Sequence, residues 1–311
     1  MDTDLARLQE QRSLFENATR APRTVHAYAG HWRHFTAWCD RAGLATLPCS
    51  SDTLSLYACA MIGSELCLST VEARITAVSQ QHKRGGHPSP LSPLVRGVIT
   101  GARRILKRPE KAMAAITVEQ LRLIYRSLDA SHKVSAARNR AILSLGWACA
   151  MRQSEICQLD LADLLFETQG LRVTLRWSKT DQEGQGRDIG IFPGNCAETC
   201  PITLLRDWLH VRGSFPGPLF PRIKTGGNVT ATRMHGGSIC LMVKTCVARI
   251  GLNRSQYGGH SLRAGFITAA IQAGVSVPAI MIRTGHKSVA TVERYVRPAS
   301  AFASNPLAAV L

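Results

Sequence analysis

At 311 residues, with Lys+Arg 38 against Asp+Glu 21 and 45% hydrophobic residues, the chain has the composition of a folded soluble protein and a formal net charge of +17. That length leaves room for about two domains with cores of their own, which excludes a small disulfide-stapled module, and the hydrophobic share excludes a disordered chain. A run of about 18 apolar residues is absent, and Met1-Asp2-Thr3-Asp4 lacks the basic-then-apolar pattern of a secretory leader, so the cytoplasm is the expected location. The cysteines are scattered, so reduced and mostly buried thiols are expected; Cys196 and Cys200 form a close pair without the second half of a zinc site. The cationic surplus points to a polyanionic partner, nucleic acid first, while a generally basic solvated surface would carry the same charge.

In chain order, helical spacing of apolar residues runs from Leu5 to Phe15 and again from Val25 through Tyr28, Trp32, Phe35 and Trp38, with Thr24 as the expected N-cap. A third helix is expected from Asp52 to Glu65. A fourth opens at Ser69-Thr70-Val71-Glu72, the spacing of a capping box, and stops before Gly85-Gly86. The fifth follows Pro93 and runs through Arg103-Arg104. Residues 108–116, charged and broken by Pro109, read as a linker, so the expected domains are 1–107, all helical, and 117–311.

Beyond the linker, Thr117-Val118-Glu119-Gln120 opens a helix, and Ala141 to Met151 is apolar enough to be a buried one. Period-two alternation in Leu171–Leu175 and Ile189–Ile191, with turn residues Glu183–Gly186 between, predicts a β-hairpin. Helices resume near Gly236, one starting after Gly258-Gly259 and ending at Gly274. The fold class expected is therefore mainly α, with a small β-sheet in an α+β second domain.

Polar residues of matched chemistry stand out in that second domain. His260 and Arg263, in Gly259-His260-Ser261-Leu262-Arg263, share one face of a helix, so an imidazole and a guanidinium can converge on a small anion such as a phosphodiester. Arg152 and Glu155 repeat the three-residue spacing at the end of the most apolar segment, where a buried arginine needs a carboxylate. Taken singly these residues also fit a helix ion pair and a helix-start histidine, Lys179 fits a solvated lysine, and Tyr295 fits a core aromatic.

Together, in order, Arg152, Lys179 on the hairpin, His260 with Arg263, Gly285-His286 and Tyr295 resemble the tyrosine recombinase family, also called lambda-type phage integrases. The stretch from His260 to Tyr295 is especially similar to the Cre recombinase group, with His286 standing where Cre carries a tryptophan. Thr24 to Cys39, with Tyr28, Phe35 and Trp38, looks like the helical core-binding domain of that family.

The resemblance implies a SAM-like helical amino-terminal domain and a catalytic domain that together form a C-shaped clamp on double-stranded DNA. It implies site-specific recombination through a 3′-phosphotyrosyl intermediate and a Holliday junction, within a tetramer, in a phage, plasmid or mobile-element setting. On that pattern Arg152 and Arg263 hold the scissile phosphate, Tyr295 is the nucleophile and Lys179 protonates the leaving 5′-oxygen. His260 assists proton transfer, His286 donates to a phosphate oxygen and Glu155 orients the basic cluster; neither metal nor cofactor is called for. The apolar tail Pro306–Leu311 either docks on a neighbouring subunit, as relatives do, or covers its own domain.

DNA contacts are expected from Ser69, Thr70, Arg74, Lys83 and Arg84 on the fourth helix and from Lys244 and Arg249 on the helix after Gly237, each weighed equally against a solvated basic face. Rival readings are a type IB topoisomerase-like enzyme, a DNA-binding architectural or regulatory protein that has lost the reaction, and a metal-dependent transposase or nuclease, which EDTA would inhibit.

Overall fold

Proline opens the first long helix. In the computed structural model, which describes residues 7–8, 10–12, 15, 21–107, 113–129, 133–176 and 186–295, α1 spans Pro22–Ala42. It starts two residues ahead of Thr24, because Ala21 holds the cap position and the fixed φ of proline suits a first turn. Helix α2 (Ser51–Gly63) is capped conventionally, with Ser50 Oγ accepting from the Thr53 N–H at 3.0 Å.

The next helix corrects an expectation. Helix α3 (Leu68–Arg84) begins after Cys67 rather than at Ser69, and the Ser69/Glu72 capping box does not form. The Glu72 carboxylate instead pairs with Arg103 on α4 (Pro93–Leu106) at 2.5 Å, joining two helices. Phe35, Leu54, Tyr57, Met61, Val71, Ile75, Val78, Val95 and Ile99 fill the core of this all-helical unit. His82 is buried with them and fully used: Nδ1 donates to Val78 O and Nε2 accepts from the Cys49 N–H.

The chain divides into two compact units, Met1–Glu110 and Lys111–Leu311. In the second, α5 (Val118–Asp129) opens with a reciprocal box in which Thr117 and Gln120 each accept from the other's backbone N–H. Helix α6 (Val134–Ala148) is buried on nearly all sides, with Ala141, Ile142, Leu143 and Leu145 at 0% exposure. It ends three residues short of Met151, because Ala150 turns the chain with φ +49. Arg152 therefore does not end that helix; it is the N-cap of a new short one, α7 (Gln153–Gln158).

A three-stranded antiparallel sheet follows, built from β1 (Leu164–Glu167), β2 (Gly170–Leu175) and β3 (Arg187–Ile191) in the order β1-β2-β3. The register pairs Leu171 with Ile191, Val173 with Ile189 and Leu175 with Arg187, so alternate residues face the core as the sequence alternation predicts. Strand β1 was not expected. The chain continues through α8 (Pro201–Arg212), a hairpin of β4 (Pro221–Ile223) and β5 (Val229–Arg233), α9 (Gly236–Arg249), α10 (Ser261–Gln272), α11 (Val277–Thr284) and α12 (Val289–Glu293).

Helix α10 lies close against the entry to α5. A Cβ on Gly265 would fall on the Ile116 carbonyl and within 2.6 Å of Trp147 Nε1, the atom that donates to that carbonyl at 3.0 Å. Glycine is what allows this approach. Among the described residues no helix is long and apolar enough to cross a membrane.

Candidate active site

The cap of α7 is where the site begins. The Glu155 carboxylate holds Arg152 at both ends, accepting from its backbone N–H at 2.8 Å and from its Nη1 at 2.6 Å. One buried side chain thus starts the helix and aims the guanidinium. A second arginine, Arg187 at the start of β3, brings Nη2 to 3.7 Å from the same carboxylate.

Arg263 arrives from the first turn of α10 and is 1% exposed. Its Nη1 donates to the Ala150 carbonyl at 2.8 Å and its Nη2 to His286 Nε2 at 2.9 Å. Burial, then Arg152, pushes its pKa down to about 10, while Glu155 and Tyr295 act the other way; it stays charged near neutrality. Arg152 and Arg187 share the Glu155 carboxylate and Arg263 lies within its electrostatic reach, so three guanidinium groups gather near one carboxylate and the cluster is positively charged, an arrangement that suits an anion.

The state of His286 follows from its partners. An arginine only donates, so Nε2 must accept and the ring proton sits on Nδ1, which donates to Thr284 Oγ1 at 2.8 Å; that hydroxyl in turn donates to Ile280 O at 2.7 Å. Burial, followed by Arg263, Arg152 and Arg187, pushes the His286 pKa down to about 4. The ring is neutral at pH 7, and in this arrangement it has no proton on Nε2 to donate. The donor role toward phosphate expected for His286 therefore needs a proton that the free site does not place there.

Tyr295 closes the cluster. Its ring is half-buried against Ile267, Ile280 and Val292, and its centroid lies 6.1 Å from that of His286. Arg283 braces the assembly from behind, with Nε and Nη2 on Ala148 O, Nη1 on Gly190 O, and its guanidinium over the Phe266 ring at 5.2 Å.

Arg152, Glu155, Arg263, His286 and Tyr295 are thus brought together. His260 stands at the N-cap of α10, one turn before Arg263, and is exposed, whereas Arg263 is buried. Lys179 and the tail 306–311 lie outside the described residues. Sequence reading missed Arg187, Arg283 and Thr284, of which only Thr284, directly before the Gly285-His286 pair, carried any local signal. Among the described residues no group of three His, Cys, Asp or Glu could hold a metal ion.

The expected DNA-contacting residues divide. Ser69 and Thr70 stand at the start of α3, and Lys83 and Arg84 are exposed at its end, about 20 Å away at 1.5 Å per residue. Arg74 between them is turned onto its own unit, with Nη1 at 2.9 Å from His34 Nε2 and 3.8 Å from Met61 Sδ. Lys244 is half-buried on α9 and Arg249 is exposed at its last turn.

Residues 114–301 match the phage integrase family. The chain belongs to that family. An integrase/recombinase XerD homolog from Selenomonas ruminantium is 33% identical over 293 residues, covering 93% of this chain and 85% of the relative. The recombinase Cre of Escherichia phage P1 is 23% identical, covering 85% and 81%. Two solved structures share the fold at a TM-score of 0.64: a lambda integrase dimer bound to a COC′ core site, at 15% identity over 94% of this chain and 95% of that one, and the Tn1549 transposon integrase in complex with transposon right-end DNA, at 14% over 94% of each. As a member of the family the chain is a tyrosine-type site-specific DNA recombinase.

Proposed function

We propose that this recombinase binds a specific site on double-stranded DNA and cleaves one strand at a time with Tyr295. The phosphodiester is received by Arg152 and Arg263, whose guanidinium groups present bidentate donors to its non-bridging oxygens and bind the five-coordinate state best. The Tyr295 oxygen forms a bond to phosphorus as the bond to the 5′-oxygen breaks. The tyrosine loses its proton, aided by His260, and the leaving oxygen gains one from Lys179. The product is a 3′-phosphotyrosyl ester and a free 5′-hydroxyl. Attack by a 5′-hydroxyl from another strand reverses the step without an energy source, so strands exchange through a Holliday junction.

One observation carries this reading: residues from three separate stretches of chain form one linked cluster, in which the buried Glu155 holds Arg152 and acts on the charge of Arg263, Arg263 donates to His286, and His286 lies beside Tyr295. The all-helical unit is assigned to DNA binding, with Ser69, Thr70, Lys83 and Arg84 as phosphate or base contacts and Arg74 as an internal brace; Lys244, on α9 of the second unit, is assigned a contact there. The working assembly is a tetramer on two DNA sites, and it acts in the cytoplasm. A lambda integrase tetramer bound to a Holliday junction shares the fold, with a TM-score of 0.55 over 93% of this chain and 75% of that one.

The test is a covalent protein–DNA adduct formed in EDTA on DNA from the gene's own neighbourhood, mapped to Tyr295. Tyr295→Phe removes only the nucleophilic oxygen and is expected to bind DNA and form no adduct; cleavage by that variant would overturn the assignment. Lys179→Ala is expected to cleave slowly at an ordinary 5′-oxygen and to recover on a 5′-bridging phosphorothiolate, whose sulfur needs no acid. Failure to recover would return Lys179 to a binding role.

A further inference from the structure

Arg187 occupies a place that the reaction scheme leaves unused. It opens β3 opposite Leu175, at the end of the hairpin from which residues 177–185 depart. Its guanidinium faces two parts of the site. On one side Nη2 is 3.7 Å from Glu155 Oε2, the oxygen that also accepts from the Arg152 backbone. On the other side lies Gly285, the residue before His286, in left-handed backbone with φ +67. A Cβ on Gly285 would occupy the space of Arg187 Nη1.

Gly285 therefore meets two demands at once, the turn that ends α11 and the passage of an arginine across it. That passage matters because Arg152 and Arg263 are held by different elements. Glu155 fixes Arg152, and His286 accepts from Arg263. The hairpin is anchored beside the same point on its other strand, where Arg176 Nε donates to the buried Asp163 at 2.6 Å.

We propose that Arg187 is a positioning residue of the recombination site: its guanidinium, wedged between Glu155 and Gly285, joins the Arg152 cap to the turn that carries His286 and sets the gap between the two phosphate-binding arginines. The inference rests on the cleavage reading above, and it explains a choice of residue type. A lysine in this position supplies a point charge to Glu155 but has no planar fork to lie across the glycine at the same time. The electrostatic contribution of Arg187 to both Arg263 and His286 agrees with a place between the two halves.

The experiment compares Arg187→Gln, Arg187→Lys and Gly285→Ala with the unaltered protein, measuring adduct formation at saturating DNA, DNA affinity, and the titration of His286 by NMR in the absence of DNA. Arg187→Gln is expected to slow adduct formation by on the order of 10- to 100-fold, as for other displacements of a reacting geometry by about 1 Å, with affinity changed less than about threefold. The His286 midpoint is expected to rise from about 4, because one of the cations that lower it is gone. Arg187→Lys restores the His286 midpoint more fully than the rate. Gly285→Ala slows the reaction, and combined with Arg187→Ala it costs less than the two single changes multiplied together.

Arg187→Gln that cleaves at the full rate overturns the proposal, as does a rate loss with an unmoved His286 midpoint or a loss confined to DNA affinity. Should Arg187→Gln fail to fold, Arg187→Lys and the Gly285 pair decide by the same readouts. Absence of any adduct in the unaltered protein, with His286 still shifting in Arg187→Gln, would refute the cleavage reading while leaving the wedge in place.

Discussion

Thr284→Val isolates a single hydroxyl behind the site. Thr284 is fully buried; its Oγ1 accepts from His286 Nδ1 at 2.8 Å and donates to Ile280 O at 2.7 Å. Valine keeps the volume and removes both bonds. Ile280 O keeps its place in the helix ladder, so the stranded group is the His286 Nδ1–H, in a ring that water still partly reaches. The expected stability loss is about 1–2 kcal/mol, which for a unit of this size lowers the Tm by roughly 3–6 °C.

The larger effect is on the tautomer. Without an acceptor at Nδ1 the ring is free to carry its proton on Nε2, where it no longer accepts from Arg263. An adduct rate reduced by about 10-fold, equivalent to 1.4 kcal/mol, is the expected result at saturating DNA, with Thr284→Ser near the unaltered rate. Thermal melts and single-turnover cleavage read the two effects separately. Thr284→Val at full rate and full stability, or Thr284→Ser as impaired as the valine, would refute the role of the hydroxyl.

Three other outcomes follow from the geometry. Glu155→Ala leaves Arg152, Arg187 and Arg263 facing one another and is expected to cost about 3–5 kcal/mol in chemical denaturation, with the Tm recovering on added sulfate more than the unaltered protein's does, because an anion replaces the lost charge. Gly265→Ala drives a methyl into Ile116 O and Trp147 Nε1 and is expected to lower stability by about 2–3 kcal/mol in the same assay. His286 has its native pKa depressed to about 4, below the ordinary 6.5, so between those values the unfolded chain takes up a proton that the native ring refuses. This residue's share of stability is therefore intact above pH 6.5 and lost as the pH falls toward 4; His286→Gln is expected to flatten the acid-side decline of unfolding free energy measured between pH 7 and 5.

The parts of the fold that could be read from sequence are those whose pattern is local. Leu171, Val173 and Leu175 alternate because one face of β2 is buried, and that alternation is visible without a structure. Strand β1 offers no such pattern: Leu164, Leu165 and Phe166 are consecutive apolar residues left half-buried or exposed. The Ser69/Glu72 spacing misled because Glu72 finds Arg103, a partner on another helix. For the site, His260 and Arg263 were legible as a pair by spacing, and His286 and Tyr295 only through the ordered resemblance to a known family, whereas Arg152 was misplaced at a helix end because nothing in an alanine at 150 announces a left-handed turn. Arg187 gave no signal at all: its significance lies in Glu155 and Gly285, which meet it only after folding.

The bonds that complete the cluster reach far back along the chain: Arg263 to Ala150 across 113 residues, and Arg283 to Ala148 across 135. Synthesis runs in one direction at about 5–20 residues per second, so Arg152 and Glu155 precede Thr284 and His286 by on the order of ten seconds. A growing chain therefore has Arg152 and Glu155 in place well before Arg263, His286 and Tyr295 exist to join them. The cluster is thus assembled last, once the carboxyl-terminal segment has come back onto Ala148 and Ala150.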